Sequence, residues 1–161
     1  MNSVPKEETQ RKVETFQSYL LSRNLQAALI FQNVDLFYFS GTIQSSILFI
    51  PAEGEPILMI QKGYERARAE SSLENLVPLE DRGRIKNILS GFKMENAGLE
   101  LDVLPAYLYL WLRETFPRCR WEDGSCGIRG LRMIKSSYEI DVVTTSGVEG
   151  LTVREQQLIR L

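Results

Sequence analysis

Between Val4 and Arg23 the apolar residues Val13, Phe16 and Leu20 recur at helical spacing, while Lys6, Glu7, Arg11, Lys12 and Glu14 occupy the remaining positions. Steps of three and four put the apolar set on one face, so the segment predicts an amphipathic helix. Asn24 ends it, and Ala27-Ala28-Leu29-Ile30-Phe31 follows as an unbroken apolar run, the pattern of a strand buried on both faces. Asn33-Val34-Asp35 has the polar chemistry of a short turn, and the aromatic cluster Leu36 to Phe39 stops at Ser40-Gly41. Ser46 to Ile50 and Ile57 to Ile60 read as two strands, and the prolines in Pro51-Ala52-Glu53-Gly54-Glu55-Pro56 stop either from running through, which predicts an antiparallel hairpin.

Helix and strand signals alternate from there on. Lys62 to Ser71 is rich in helix formers, and Leu76 to Leu79 is long enough only for a short strand. Ile85, Ile88, Leu89 and Phe92 make a helical stripe, and Ala97 to Leu101 returns to strand character. Pro105 suits the first turn of a helix whose buried stripe is Leu104, Leu108, Trp111 and Leu112, ending near Phe116-Pro117. Cys119 to Glu122 is a last strand before the turn Asp123-Gly124-Ser125. Strands alternating with helices, plus one hairpin, predict an α/β fold: a mixed sheet with helices on both faces.

Composition narrows the possible roles. The 161 residues suffice for one domain with a real core, and 43% hydrophobic with 25% charged residues is ordinary for a globular chain. A net charge of −2 gives no electrostatic reason to expect nucleic acid or an anionic membrane as partner. The polar N-terminus and the lack of a long apolar run point to a cytoplasmic protein, where Cys119 and Cys126 are expected as free thiols. There is no histidine, so the usual nucleophilic triad is excluded along with the commonest metal ligand.

The remaining candidates for chemistry are sparse. Cys126-Gly127-Ile128-Arg129-Gly130 reads either as an anion site beside Arg129 and Arg132 or as a turn into the final helix. Asp81, Glu95, Glu100, Asp102, Glu122 and Asp123 are spread over loops and strand ends and read as solvated charge, with Glu100 set apart because it ends an apolar strand. Lys62, Arg66 and Arg68 are compensated by Glu65 and Glu70 within a helical turn, and Phe37-Tyr38-Phe39 reads as core sooner than as a recognition surface. Ser136 and Glu139 have capping-box spacing at a helix start.

Taken in order, the motifs are more specific than any one alone. Asp35-Leu36-Phe37-Tyr38-Phe39-Ser40-Gly41, Phe49-Ile50-Pro51 and Glu53-Gly54-Glu55-Pro56-Ile57-Leu58 resemble the first half of the creatinase/prolidase N-terminal domain. Gly98-Leu99-Glu100, Leu104-Pro105 and Leu131-Arg132-Met133-Ile134-Lys135-Ser136 with Glu139-Ile140 resemble its second half. The resemblance implies a ribonuclease H-like motif over residues 1–140, preceding a pita-bread catalytic domain, with 141–161 as a truncated connector toward it. Val148 to Glu155 resembles an early stretch of that catalytic domain, with Val153 where an acid is expected.

By the same resemblance, catalysis belongs to the second domain of an Xaa-Pro dipeptidase or aminopeptidase, a hydrolase with two divalent metal ions such as manganese. This chain is then expected to be inactive alone and to hold no catalytic, cofactor or metal residue. Its implied contribution is homodimer formation and control of substrate access, with Thr42, Ile43 and Gln44 after Gly41 as the gating loop. The alternative is a freestanding ligand- or protein-binding domain derived from the same family.

Overall fold

The computed structural model describes residues 4–145; the stretch from Val148 to Glu155 lies outside them. Helix α1 (Lys6–Ser22) leads into β1 (Ala27–Ile30), then α2 (Asn33–Ser40) and the hairpin of β2 (Ser46–Pro51) and β3 (Ile57–Ile60). Next come α3 (Tyr64–Glu70), β4 (Leu76–Pro78), a 3-10 turn (Arg82–Arg84) running into the short α4 (Ile85–Ile88), and β5 (Asn96–Leu99). The last of these elements are α5 (Ala106–Thr115), β6 (Arg120–Asp123) and α6 (Ser125–Met133).

The strands form one six-stranded mixed sheet in the order β4-β3-β2-β1-β5-β6. β1 is antiparallel to β2, and β2 to β3, while β3–β4, β1–β5 and β5–β6 are parallel. Alternation along each strand sends side chains to two faces. Ala28, Ile30, Leu48, Ile50, Leu58 and Ile60 meet Val13, Phe16 and Leu20 of α1, Leu36 and Phe39 of α2, and Ile128 of α6. Ala27, Leu29, Ile47, Phe49, Ile57 and Met59 meet Ile85 and Leu89, together with Leu112 of α5. Helices therefore cover both faces, as the apolar runs predicted, and each fully buried Phe or Leu contributes roughly 1.5–3 kcal/mol.

Three local readings change. Asn33-Val34-Asp35 is the first turn of α2 and not a separate turn, because Asp35, Leu36, Phe39 and Ser40 share a buried face and Gly41 (φ 78°) supplies the left-handed residue that ends the helix. Lys12 is buried and not on a solvated face; its ammonium lies 3.4 Å from the Glu8 carboxylate and 4.2 Å from the Tyr38 ring centroid, which replace its water. Cys126 to Gly130 is helical, inside α6, and Gly127 is required there: a Cβ would fall 2.3 Å from the Tyr19 ring of α1.

Residues up to Leu131 make one compact unit and those from Arg132 a second. In the second, helical residues 137–145 start at the expected capping box: the Ser136 amide donates to Glu139 Oε2 (3.0 Å) and the Glu139 amide to Ser136 Oγ (3.1 Å). Leu131 to Ile140 therefore comprises the end of α6, a break at 134–136 and the start of a new capped helix.

Candidate functional site

Both segments of interest lie at the two ends of α2. At its far end, Gly41 turns the chain into Thr42, Ile43 and Gln44. Thr42 is fully buried, and its hydroxyl donates to Glu70 Oε2 over 2.6 Å. Gln44 Nε2 reaches the same oxygen at 3.3 Å, and the Gln44 amide donates to Thr42 Oγ1 at 3.2 Å. Arg66 Nε donates to Glu70 Oε1 at 2.9 Å. Glu70 therefore organises the loop as an ionised acceptor, and its pKa is lowered, chiefly by the Thr42 hydroxyl. Gly63 makes room for this, since a Cβ there would lie 2.6 Å from Gln44 Oε1.

Ile43 stands between these two anchored residues and is 60% exposed. Phe37 and Val34 on α2 are also exposed, so the aromatic cluster divides: Phe39 is core, Tyr38 packs at its margin and Phe37 faces solvent. Ile43 is thus an exposed apolar residue on a loop whose two neighbours are held by polar bonds.

At the near end of α2 stands a second carboxyl site. Glu100, just past the end of β5, is 1% exposed, and Asp35 in the first turn of α2 is 4% exposed. Glu100 Oε2 accepts the amides of Phe31 (2.7 Å) and Gln32 (3.2 Å), which leave the end of β1 and cap α2. Glu100 Oε1 has no hydrogen-bond partner among the described residues, and the Asp35 side chain is near enough to act on this carboxyl. Burial, then Asp35, pushes the Glu100 pKa up to about 8 against the pull of the two amides.

Glu100 thus departs from the solvated-charge reading, and its partner Asp35 was not legible as one. The available signal was Gly41 placed just after an apolar stripe, which marks a helix end and puts Asp35 in that helix's first turn. So deeply buried a pair offers no access to a substrate.

Elsewhere the charged candidates satisfy one another. Arg129 pairs with Asp102 and donates to Cys126 Sγ at 3.5 Å, so the guanidinium of the expected anion site is engaged within the protein. Asp123 accepts the Ser125 amide at the start of α6. Both cysteines are free thiols, and burial pushes that of Cys119 up to about 11. A groove of about 280 Å³ beside α1 is lined by Lys6, Thr9, Val13, Glu55 and Glu74, and neither carboxyl site opens into it.

Comparison with known proteins agrees with this geometry. No curated protein sequence matches the chain. Among solved structures, a proline dipeptidase from Streptococcus pneumoniae superposes with a TM-score of 0.68 at 24% identity, covering 77% of this chain and 98% of that one. The prolidase from Pyrococcus horikoshii gives 0.71 at 25% identity over 81% of this chain, and the Xaa-Pro dipeptidase from Bacillus anthracis 0.74 at 17% over 83%. The present chain spans 37% and 38% of those two proteins. The family described as the Creatinase/Prolidase N-terminal domain matches residues 12–134, and with the mixed sheet and the Asp35 to Gly41 and Gly98 to Glu100 motifs in place, the chain belongs to that family.

Proposed function

We propose that this chain is the non-catalytic N-terminal domain of an Xaa-Pro peptidase-like metallohydrolase, acting in the cytoplasm as a homodimer and limiting access of substrate to the catalytic domain of the same polypeptide. Family membership supports the first part. The observation that carries the gating part is Ile43, exposed at the tip of a loop whose neighbours Thr42 and Gln44 are both bound to Glu70. A gate needs an exposed contact group on a stiff support, and this loop has both.

The two divalent metal ions, such as manganese, belong to that catalytic domain. Among the described residues there is no group of three or more His, Cys, Asp or Glu side chains placed to hold a metal ion. No helix among the described residues is long and apolar enough to cross a membrane.

In the polypeptide carrying the catalytic domain, Ile43→Glu is expected to change KM for Xaa-Pro dipeptides about fivefold, a differential of about 1 kcal/mol, while kcat stays within about twofold. An unchanged KM would overturn the gating role. The chain alone, supplied with manganese and an Xaa-Pro dipeptide, is expected to show no turnover, and its solution mass is expected to be that of a dimer. Turnover would overturn the non-catalytic assignment, and a monomeric mass would overturn dimerisation through this domain.

A further inference from the structure

We propose that the outer edge of β6 is the homodimer interface, where it pairs antiparallel with the same edge of a second copy of this chain about a two-fold axis at Trp121. This rests on the homodimer reading above and gives that dimer its surface.

The strand order leaves the sheet two edges, β4 and β6, and they differ. At β4 the Leu58 amide donates to the Asn75 carbonyl and the Leu79 amide to that of Ile60, so alternation turns the Val77 backbone toward β3 and that of Leu76 and Pro78 outward. Pro78 has no N–H, and the Leu76 carbonyl accepts the Tyr64 hydroxyl at 3.3 Å, so this edge is blunted against pairing. At β6 the Arg120 amide donates to the Glu95 carbonyl and the Gly124 amide to that of Leu99, which turns the backbone of Arg120 and Glu122 toward β5 and that of Cys119, Trp121 and Asp123 outward. The Cys119 amide is taken by the Phe116 carbonyl, but the amides of Trp121 and Asp123 and the carbonyls of Cys119 and Trp121 have no partner among the described residues. No proline interrupts this strand, and the Trp121 ring packs edge-on against Phe116, 6.1 Å between centroids, which fixes it in place.

Charge selects both the occupant and the register. A two-fold axis makes every contact reciprocal, so two copies of one strand pair antiparallel. With the axis at Trp121, that residue exchanges both backbone bonds with its counterpart, each Asp123 amide meets a Cys119 carbonyl, and Arg120 of either copy stands opposite Glu122 of the other. Moving the axis by one residue sets Arg120 against Arg120 or Glu122 against Glu122, and like charges directly opposite repel. Arg120 is exposed and Glu122 half-buried, and no ion pair among the described residues uses either. The edge is thus complementary to its own reverse, and a second copy fits it.

The test is sedimentation equilibrium on this chain as wild type, Arg120→Glu, Glu122→Arg, and an equimolar mixture of the two variants. Either variant alone sets like charges opposite each other at both positions, so its dimer dissociation constant is expected to rise about tenfold or more. In the mixture opposite charges face each other again at both positions, and association is expected to return to the wild-type level, which also shows that the variants fold. A dimer that neither variant weakens, or a mixture as weak as its components, overturns pairing through β6 and leaves the homodimer reading standing. A wild type that stays monomeric overturns both.

Hydrogen exchange on wild type needs no variant. Protection of the Trp121 amide is expected to rise about tenfold or more as concentration carries the chain from monomer to dimer. A Trp121 amide that exchanges freely where the mass is that of a dimer overturns the edge pairing. Neither readout involves substrate, so the Ile43 gating test stands or falls separately.

Discussion

Two glutamates brace the two ends of α2, and they do so in opposite charge states. Glu70 at the far end is ionised and held low by donors from Thr42, Gln44 and Arg66. Glu100 at the near end is pushed up by burial and by Asp35, although it too accepts two hydrogen bonds. The hydrogen-bond count alone does not separate them. Water does: the Glu70 side chain keeps about a quarter of its exposure (23%) and has a guanidinium beside it, whereas Glu100 has 1% and a second acid. A carboxyl group keeps its charge or is pushed toward its neutral form according to what replaces its water.

The largest test of that contrast is deletion of the buried acid. Glu100→Ala leaves the Phe31 and Gln32 amides without their acceptor and opens a cavity, so stability should drop by about 3 kcal/mol, read from denaturant unfolding at neutral pH. A loss under about 1 kcal/mol would mean that these amides are served by water and that Glu100 braces nothing.

Next in size is the pH dependence, with opposite signs at the two sites. The folded pKa of Glu100 is above its unfolded value, so its contribution is fully present below about pH 4.5 and is lost as pH rises to about 8, at up to about 1.4 kcal/mol per pH unit. Glu100→Gln removes this slope and is expected to be more stable than wild type near pH 8, a gain measurable as a higher unfolding midpoint. For Glu70 the folded pKa is lowered, so its contribution is present above the unfolded value and disappears as pH falls through the folded one. Glu70→Gln should therefore cost about 1 kcal/mol at pH 7 and nothing in strong acid, as shown by unfolding curves at both pH values.

The smallest expected effect sharpens the Glu70 side. Thr42→Val keeps the shape and removes the hydroxyl that holds Glu70 low, so the Glu70 titration should move up toward its ordinary value, with about 1 kcal/mol lost at neutral pH. Glu100 should titrate unchanged in this variant, because the two acids share no partner; a coupled shift of both would show that α2 transmits charge state from end to end.

Much of this was legible in the chain. The apolar run Ala27 to Phe31 predicted a strand buried on both faces, which forms as Ala27–Ile30, and Ser46 to Ile50 and Ile57 to Ile60, with the proline-bounded stretch between them, predicted the antiparallel hairpin. The Ser136–Glu139 box formed as spaced, since capping is decided within four residues. Glu100 stood out as an acid ending an apolar strand. Lys12 was misplaced because helical periodicity counts a lysine as polar and is blind to a carboxylate and an aromatic ring waiting to receive it. Asp35 was misread because a polar residue between apolar runs looks like a turn until the helix around it is seen.

The sequence by itself determined the alternation of elements, the two-sided burial of the sheet and membership of the creatinase/prolidase N-terminal family. Those properties are written in local periods and in the order of short motifs. Only the tertiary structure decided that Glu70 meets Thr42, that Glu100 meets Asp35, and hence which acid keeps its charge. Periodicity reports which face of an element leaves water; the pKa of a buried acid depends on which distant group takes the water's place, and that is set when the sheet brings the end of β5 against the start of α2.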